Sequence, residues 1–319
     1  MTGVGLYLIA DRKARQRCWV EHFSGLLNHP QPTARCDDLD SPEHSINLDV
    51  NDSAPNLDEV AAAVKRLRSG KAAGADSVYA EFFKHSDAAV EKLHALFREV
   101  WEQKTLPRAW QLATVLPFFK KGDNRLCSNY RGISLLSIGL KVLESIVLHR
   151  LRPAYESHAR ENQCGFRPGR GCIDQIFVLR QILERRHEFR QPTVACFVDF
   201  AAAFDSVDRN VLWKIAEAAG APRNLLEIMR AMYAATESCV RVYGSTSEPF
   251  EISTGVRQGS ILSPWLFNLC LDYVLSSCIV PGDGVLLSDQ QESLADLAYA
   301  DDIVLLAESV DALQRLLDR

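Results

Sequence analysis

Residues 297–307 read Leu-Ala-Tyr-Ala-Asp-Asp-Ile-Val-Leu-Leu-Ala, two adjacent carboxylates between two apolar runs. The pattern from Leu294 to Leu306 predicts a strand, a turn and a strand, with Ala300, Asp301 and Asp302 at the tip. A second acid lies in a similar setting upstream, in Phe197-Val198-Asp199-Phe200. There Val194, Cys196, Val198 and Phe200 alternate onto one face, and Phe197 and Asp199 onto the other, which predicts Asp199 near the end of a central strand. A charge is costly to bury unless a partner or a metal neutralises it. Acids from two such strands, brought together by a fold, form a site for divalent cations. Hard Asp oxygens suit magnesium, and a pair of ions can clamp the attacking and leaving oxygens of a phosphoryl transfer.

Composition bounds the chain before any motif is named. Its 319 residues, 47% hydrophobic and 24% charged, suit a globular protein of one large or two smaller domains. Val4 to Ala10 is apolar for seven residues only and runs into Asp11-Arg12-Lys13. That is too short for a membrane span and lacks the features of a signal peptide; no later run is long enough either. Nine cysteines with no C-x-x-C pair point to a reduced, intracellular protein with mostly buried thiols, and away from a disulfide scaffold or a zinc site.

The net charge of −5 hides an asymmetry: from Lys104 to Arg190 there are sixteen Lys and Arg against seven Asp and Glu. One basic surface on an acidic body could track a phosphate backbone. Solvated helix faces would account for the same charges.

Along the chain, residues 28–56 read as a loose linker. Asn56 to Glu59 resembles a capping box, opening a helix that Gly70 would stop. Ser86 is placed to cap a helix running to Gln103. Residues 112–118 form a strand, and 137–151 a helix ended by Pro153. Ile173 to Glu188 is helical, as is Arg209 to Ala219. Residues 239–243 and 248–253 form a hairpin around Gly244-Ser245, and Ser263-Pro264 opens an apolar helix through Ser276.

Five motifs in order carry a family resemblance. They are Leu116–Asp123 with Asn129–Leu136 (LPFFKKGD…NYRGISLL), Gln163–Gly171 (QCGFRPGRG), Phe197–Arg209 (FVDFAAAFDSVDR), Gly255–Asn268 (GVRQGSILSPWLFN) and Leu297–Ala307. Over about residues 110–309 the chain resembles the reverse transcriptases of non-LTR, LINE-like retrotransposons. Residues 67–85 resemble the segment that often leads into such domains. The resemblance implies an α+β fold, the fingers and palm of a right-hand polymerase, with an antiparallel palm sheet packed on helices. It gives residues 1–109 as a helical N-terminal extension and 110–319 as the polymerase domain with an incomplete palm. On that reading the thumb, and the endonuclease that commonly precedes, would be absent, and the chain is expected to be a fragment of a longer polyprotein or a decayed copy.

The resemblance also assigns roles. Asp199 and Asp301 would be metal-holding carboxylates, with Asp302 a third acid at slightly greater remove. They would hold two Mg2+ ions, or Mn2+ as a substitute, about 3.5–4 Å apart. Phe204 would lie under the incoming sugar and exclude a 2′-hydroxyl, with Asp205 in a local hydrogen-bonding role. Gln258 and Gly259 would contact the nucleotide or template, supported by Arg257. Arg131 with Lys120 or Lys121 would hold the triphosphate, and Arg167 and Arg170 the template backbone. The implied partners are an RNA template, a DNA primer and deoxynucleotides, with no membrane. Ala201 and Ala202 stand where the family commonly has Lys or Glu, and Ala75 where it commonly has Pro. An intron maturase or an LTR-element enzyme fits NYRGISLL and RQGSILSP less well. A nucleic-acid-binding remnant without activity is the alternative, and a ligand-free sheet protein would leave three acids unpaired.

Overall fold

The computed structural model describes residues 11–30, 48–287 and 293–319. The apolar Val4–Ala10 and residues 31–47 of the expected linker lie outside them. Backbone contacts divide the chain into two units: Met1–Ala154 with Phe204–Ser263, and Tyr155–Ala203 with Pro264–Arg319. Residue 109, the expected domain boundary, falls inside the first.

The first unit begins with α1 (Arg12–Leu27), whose N-terminal amides at Lys13 and Ala14 are capped by Asp11. It buries Trp19, Phe23 and Leu27. The helix α2 (Leu57–Arg66) carries the expected capping box of Asn56 and Glu59, but ends at Arg66, ahead of Gly70. A short α3 (Ala80–Lys84) precedes α4 (Asp87–Gln103), capped by Ser86 as expected and closed by Lys104 at φ 54°. Then come α5 (Arg108–Gln111), β1 (Leu112–Phe119), β2 (Tyr130–Leu135) and α6 (Ile138–Glu156). Pro153 lies inside α6 and does not end it. The carbonyl that loses its donor is that of His149, an exposed residue near the helix end where water can substitute.

After α7 (Cys172–Glu188) and β3 (Val194–Asp199), which belong to the second unit, the chain returns with α8 (Arg209–Ala218) and α9 (Arg223–Tyr233). It then forms β4 (Glu237–Val242), β5 (Ser245–Thr246) and β6 (Phe250–Glu251). The sheet is mixed: β1 runs antiparallel to β2 and parallel to β4, and β4 pairs also with β5 and β6. Val115 and Val240, both fully buried, receive the apolar face of α1. The hairpin turn is Tyr243-Gly244, both at positive φ, one residue earlier than the sequence suggests.

The second unit holds α7, β3, most of α10 (Ser263–Cys278), the pair β7 (Val285–Leu286) and β8 (Ser293–Leu294), then β9 (Asp296–Tyr299), β10 (Asp302–Ala307) and α11 (Val310–Asp318). Its antiparallel sheet has the order β3-β10-β9. The central strand is therefore β10, and β3, expected to be central, lies at the edge. Ile182 of α7 packs with Val285, Leu297 and Leu306.

Buried charge is paired in this unit. Arg160 is ion-paired with Asp296, which Asn162 also reaches at 3.1 Å. Arg186, 3% exposed, donates to Thr193, the carbonyls of Leu286 and Pro192, and Glu308. Among the described residues Asp272 is the exception: Oδ1 has no partner and Oδ2 receives only the Arg160 amide at 3.5 Å. Burial pushes its carboxyl up to about 6. A carboxyl whose folded pKa exceeds its unfolded value contributes stability at low pH and loses it as pH rises through the folded value. Asp272→Asn should therefore raise stability at about pH 8 by on the order of 2–3 kcal/mol, with the gain vanishing near pH 4. Denaturant titrations of both proteins across that range measure it; a loss of stability at the higher pH would refute the argument.

All eight described cysteines are free, but only Cys164 and Cys239 are buried; five are half-buried and Cys172 is exposed. Among the described residues no helix is long and apolar enough to cross a membrane.

Candidate active site

The sheet of the second unit places Asp302 directly opposite Asp199, and on its other side opposite Tyr299. Residues opposed across antiparallel strands share a face, with Cα atoms about 4.5–5.5 Å apart. The same face carries Phe197, Val304 and Leu297, by the two-residue period of a strand. Leu297 and Val304 pack under α7, whereas the end bearing the acids is open: Asp199 and Asp302 are exposed and Asp301 half-buried. No hydrogen bond or ion pair ties up any of the three carboxylates among the described residues.

Two like charges directly opposite each other oppose folding, by roughly 0.2–1 kcal/mol. The turn adds to that cost. Tyr299 and Asp302 close a two-residue loop in which Ala300 adopts φ 57°, a conformation disfavoured by about 1–2 kcal/mol for a residue with a Cβ. The donor set is right for a hard cation: carboxylate oxygens, solvent-reachable, uncommitted to Lys or Arg. Among the described residues no three His, Cys, Asp or Glu side chains converge as a closed ligand set. The register gives Asp302 the cross-strand position facing Asp199, and puts Asp301 in the turn.

Arg167 and Arg170, also in this unit, are committed to their own chain. Arg167 is 8% exposed, pairs with Glu156 and donates to the carbonyls of Arg160 and Gln163. A guanidinium so enclosed braces its loop and has no open face for a template. Arg170 is half-buried and pairs with Glu161 at 2.6 Å.

The remaining candidates lie in the first unit. Lys120 and Lys121 follow β1, and Arg131 is the second residue of β2, opposite Phe118. All three are exposed and carry no ion pair among the described residues. The loop that holds the lysines is closed by the Lys120 amide on the Asn129 carbonyl (2.9 Å) and by the Asn129 side chain on the Asp123 carbonyl (2.8 Å). The result is a fixed hairpin end with three uncompensated cations.

Gln258 is tied to the same hairpin. The Ser134 hydroxyl donates to its Oε1 (2.9 Å), and its Nε2 donates to the Gly132 carbonyl (3.1 Å). Its amide is thus engaged with β2 on either side of Ile133. Gly259 sits at φ 86°, where a Cβ would come within 2.5 Å of the Ser134 carbonyl oxygen. Beneath them Arg257, 6% exposed, donates to the carbonyls of Met232, Trp110 and Gln111. The fully buried Glu144 accepts the Ile261 amide (2.9 Å). Glu144 is not among the residues expected from the sequence, although an acid on the apolar face of α6 is a legible signal.

Phe204 is half-buried, and its carbonyl accepts the Val256 amide (2.8 Å). Asp205, expected to bond locally, is instead engaged at long range through its main chain: its carbonyl accepts the hydroxyl of Thr254, 49 positions away (3.1 Å). Burial pushes its carboxyl up to about 6.

Comparisons with known proteins give the family. The family model for reverse transcriptase (RNA-dependent DNA polymerase) matches residues 119–319. The chain is 29% identical over 260 residues to the transposon TX1 uncharacterized 149 kDa protein of Xenopus laevis, covering 81% of this chain and 20% of that protein. It is 27% identical over 315 residues to the probable RNA-directed DNA polymerase from transposon BS of Drosophila melanogaster, covering 95% and 33%. With the RNA-directed DNA polymerase from mobile element jockey of Drosophila funebris it shares 28% over 272 residues, covering 82% and 29%. The chain spans between a fifth and a third of the length of these curated relatives.

Proposed function

The chain belongs to the reverse transcriptase family, related to the enzymes of non-LTR retrotransposons, and from that premise we propose that it forms the fingers and part of the palm of an RNA-directed DNA polymerase. The reaction is addition of a deoxynucleotide to a primer 3′-hydroxyl paired to an RNA template. The observation that carries the reading is the opposition of Asp302 to Asp199 on an open sheet face, with Asp301 beside them. Uncompensated like charges at the end of a small sheet disfavour folding, and a cation ligand set is the role that explains them.

Asp199 and Asp302, with Asp301, would hold the divalent ions, magnesium or its substitute manganese. When bound, such a pair of ions supplies acidification of the primer hydroxyl and stabilisation of the pyrophosphate leaving group. The other residues position and hold. The exposed Arg131, with Lys120 and Lys121, takes the triphosphate: the guanidinium grips oxygens in a fork and the ammonium groups add compact charge. Gln258 and Gly259 work as a unit with β2. By anchoring on Gly132 and Ser134, Gln258 fixes the strand that presents Arg131, and fixed geometry converts binding into rate. Phe204 lies under the sugar and rejects a 2′-hydroxyl by shape. We assign Arg167 to bracing its loop, and leave Arg170 as the template-side cation, its pair with Glu161 being partly exposed and so weak.

The test is extension of a DNA primer annealed to RNA, with magnesium and each of the four deoxynucleotides. Magnesium-dependent extension is expected, and Phe204→Val should raise ribonucleotide incorporation relative to deoxynucleotide by roughly tenfold or more. Nucleic-acid binding without extension at any magnesium or manganese concentration would overturn the catalytic reading in favour of a binding remnant.

A further inference from the structure

The turn that carries Asp301 and Asp302 is gripped by one side chain from elsewhere in its unit. Gln163 is 0% exposed. Its Oε1 accepts the Ala300 amide (2.8 Å) and the Gly165 amide (2.7 Å), and its Nε2 donates to the Ala300 carbonyl (3.2 Å). The carboxamide thus holds both polar groups of Ala300, the residue at positive φ. Only an amide side chain offers an acceptor and a donor in that spacing.

The surrounding segment is built to keep Gln163 in place. Its main chain runs beside β9, with the Cys164 amide on the Ala298 carbonyl (2.9 Å) and the Ala298 amide on the Asn162 carbonyl (2.9 Å). Gly165 lies so close that a Cβ there would meet the Ala300 nitrogen at 2.1 Å. Its carbonyl is held by Asn268 (2.7 Å), and the Gln163 carbonyl by the buried Arg167 (3.0 Å). The enclosed Arg167, unsuited to a template contact, has a use here: with Glu156 it clamps the segment that presents Gln163.

We propose that Gln163 is a positioning residue that latches the acid-bearing turn. It holds Ala300 in its disfavoured conformation and so sets where Asp301 and Asp302 stand relative to Asp199. The inference rests on the reading of these acids as cation ligands. Groups that orient metal ligands from behind commonly carry tenfold or more of the affinity. Without the latch, the loop can relax Ala300 to negative φ, and the two acids leave register with Asp199.

The experiment uses the full chain and two readouts. Hydrogen exchange of peptides covering residues 296–304 reads the turn itself, and Mn2+ binding followed by electron paramagnetic resonance reads the acids. Gln163→Met should speed exchange at the turn and weaken Mn2+ binding by roughly tenfold, with exchange of the first unit unchanged. Ala300→Gly in that background should recover part of both losses, because glycine accepts positive φ freely. Gln163→Asn keeps the amide but is one methylene shorter and cannot reach both polar groups of Ala300. It decides the matter if Gln163→Met does not fold, and it should show the same direction of change. Exchange and Mn2+ affinity within about twofold of the parent in whichever variants fold would overturn the proposal. Equal Mn2+ binding by the parent and by Asp199→Asn would instead sink the reading of the acids, and the exchange readout would still decide the latch.

Discussion

Asp199→Asn should abolish primer extension, by roughly 10³-fold or more, and leave the folded protein as stable as before or slightly more so. The two halves of that expectation come from the same geometry. Asp199 faces Asp302 across two strands with no Lys or Arg paired to either among the described residues. Removing one negative charge relieves a repulsion of roughly 0.2–1 kcal/mol, and an amide keeps the side chain's shape. A carboxylate held only for structure would behave in the opposite way: its loss would lower stability and spare chemistry. Asp302→Asn should follow the same pattern, and the double variant should be no worse than either single one in activity. Residues that act on one ligand as a unit are not additive. Steady-state extension and thermal unfolding, run on the same preparations, measure both quantities. Extension retained within tenfold in Asp199→Asn, or a large drop in its unfolding temperature, would defeat the assignment.

What the sequence made legible follows from how local each signal is. The strand–turn–strand of residues 294–306 and the alternation of β3 are read from a two-residue period, which needs no tertiary context. The caps at Asn56 and Ser86 were readable because a capping bond closes within three residues. Position within a sheet is different. That β10 is central and β3 an edge depends on which strands meet, and no period in β3 encodes its neighbours. The β2 strand gives no local signal because its polar groups are satisfied at long range: Ser134 and Gly132 engage Gln258, more than 120 positions away. In contrast, α9 does carry a local signal. Leu225, Leu226, Ile228, Met229 and Met232 fall on one helical face, opened by Pro222. For the site, the acids were legible as residue types in apolar runs, and the resemblance supplied the rest. The engagement of Arg167 and Gln163 was not legible, since a guanidinium or an amide in a Gly-rich loop reads alike whether it faces solvent or its own backbone.

Gly259→Ala should be among the most damaging single-methyl changes in the first unit, costing about 3 kcal/mol or more of stability. Two costs add. A residue with a Cβ at φ 86° loses about 1–2 kcal/mol in the left-handed region. The added carbon would also stand 2.5 Å from the Ser134 carbonyl oxygen, and that oxygen is backbone, fixed by the pairing of Ser134 with Val115 in the β1–β2 ladder. Overpacking against an atom that cannot rotate away forces the strand or the loop to shift. Either shift pulls on Gln258, whose amide spans Gly132 and Ser134, and so on the strand that carries Arg131. Extension should therefore fall further than stability alone requires, with a raised KM for the deoxynucleotide at temperatures where the variant is fully folded. Gly70→Ala is the matched control: it lies in the same unit at φ 70° with nothing within 4 Å of the new carbon. It carries the conformational cost without the collision and should lose only about 1 kcal/mol. Equal losses in the two variants would show that the close approach to β2 costs nothing, and that the bond network joining Gln258 to this strand does not constrain the loop.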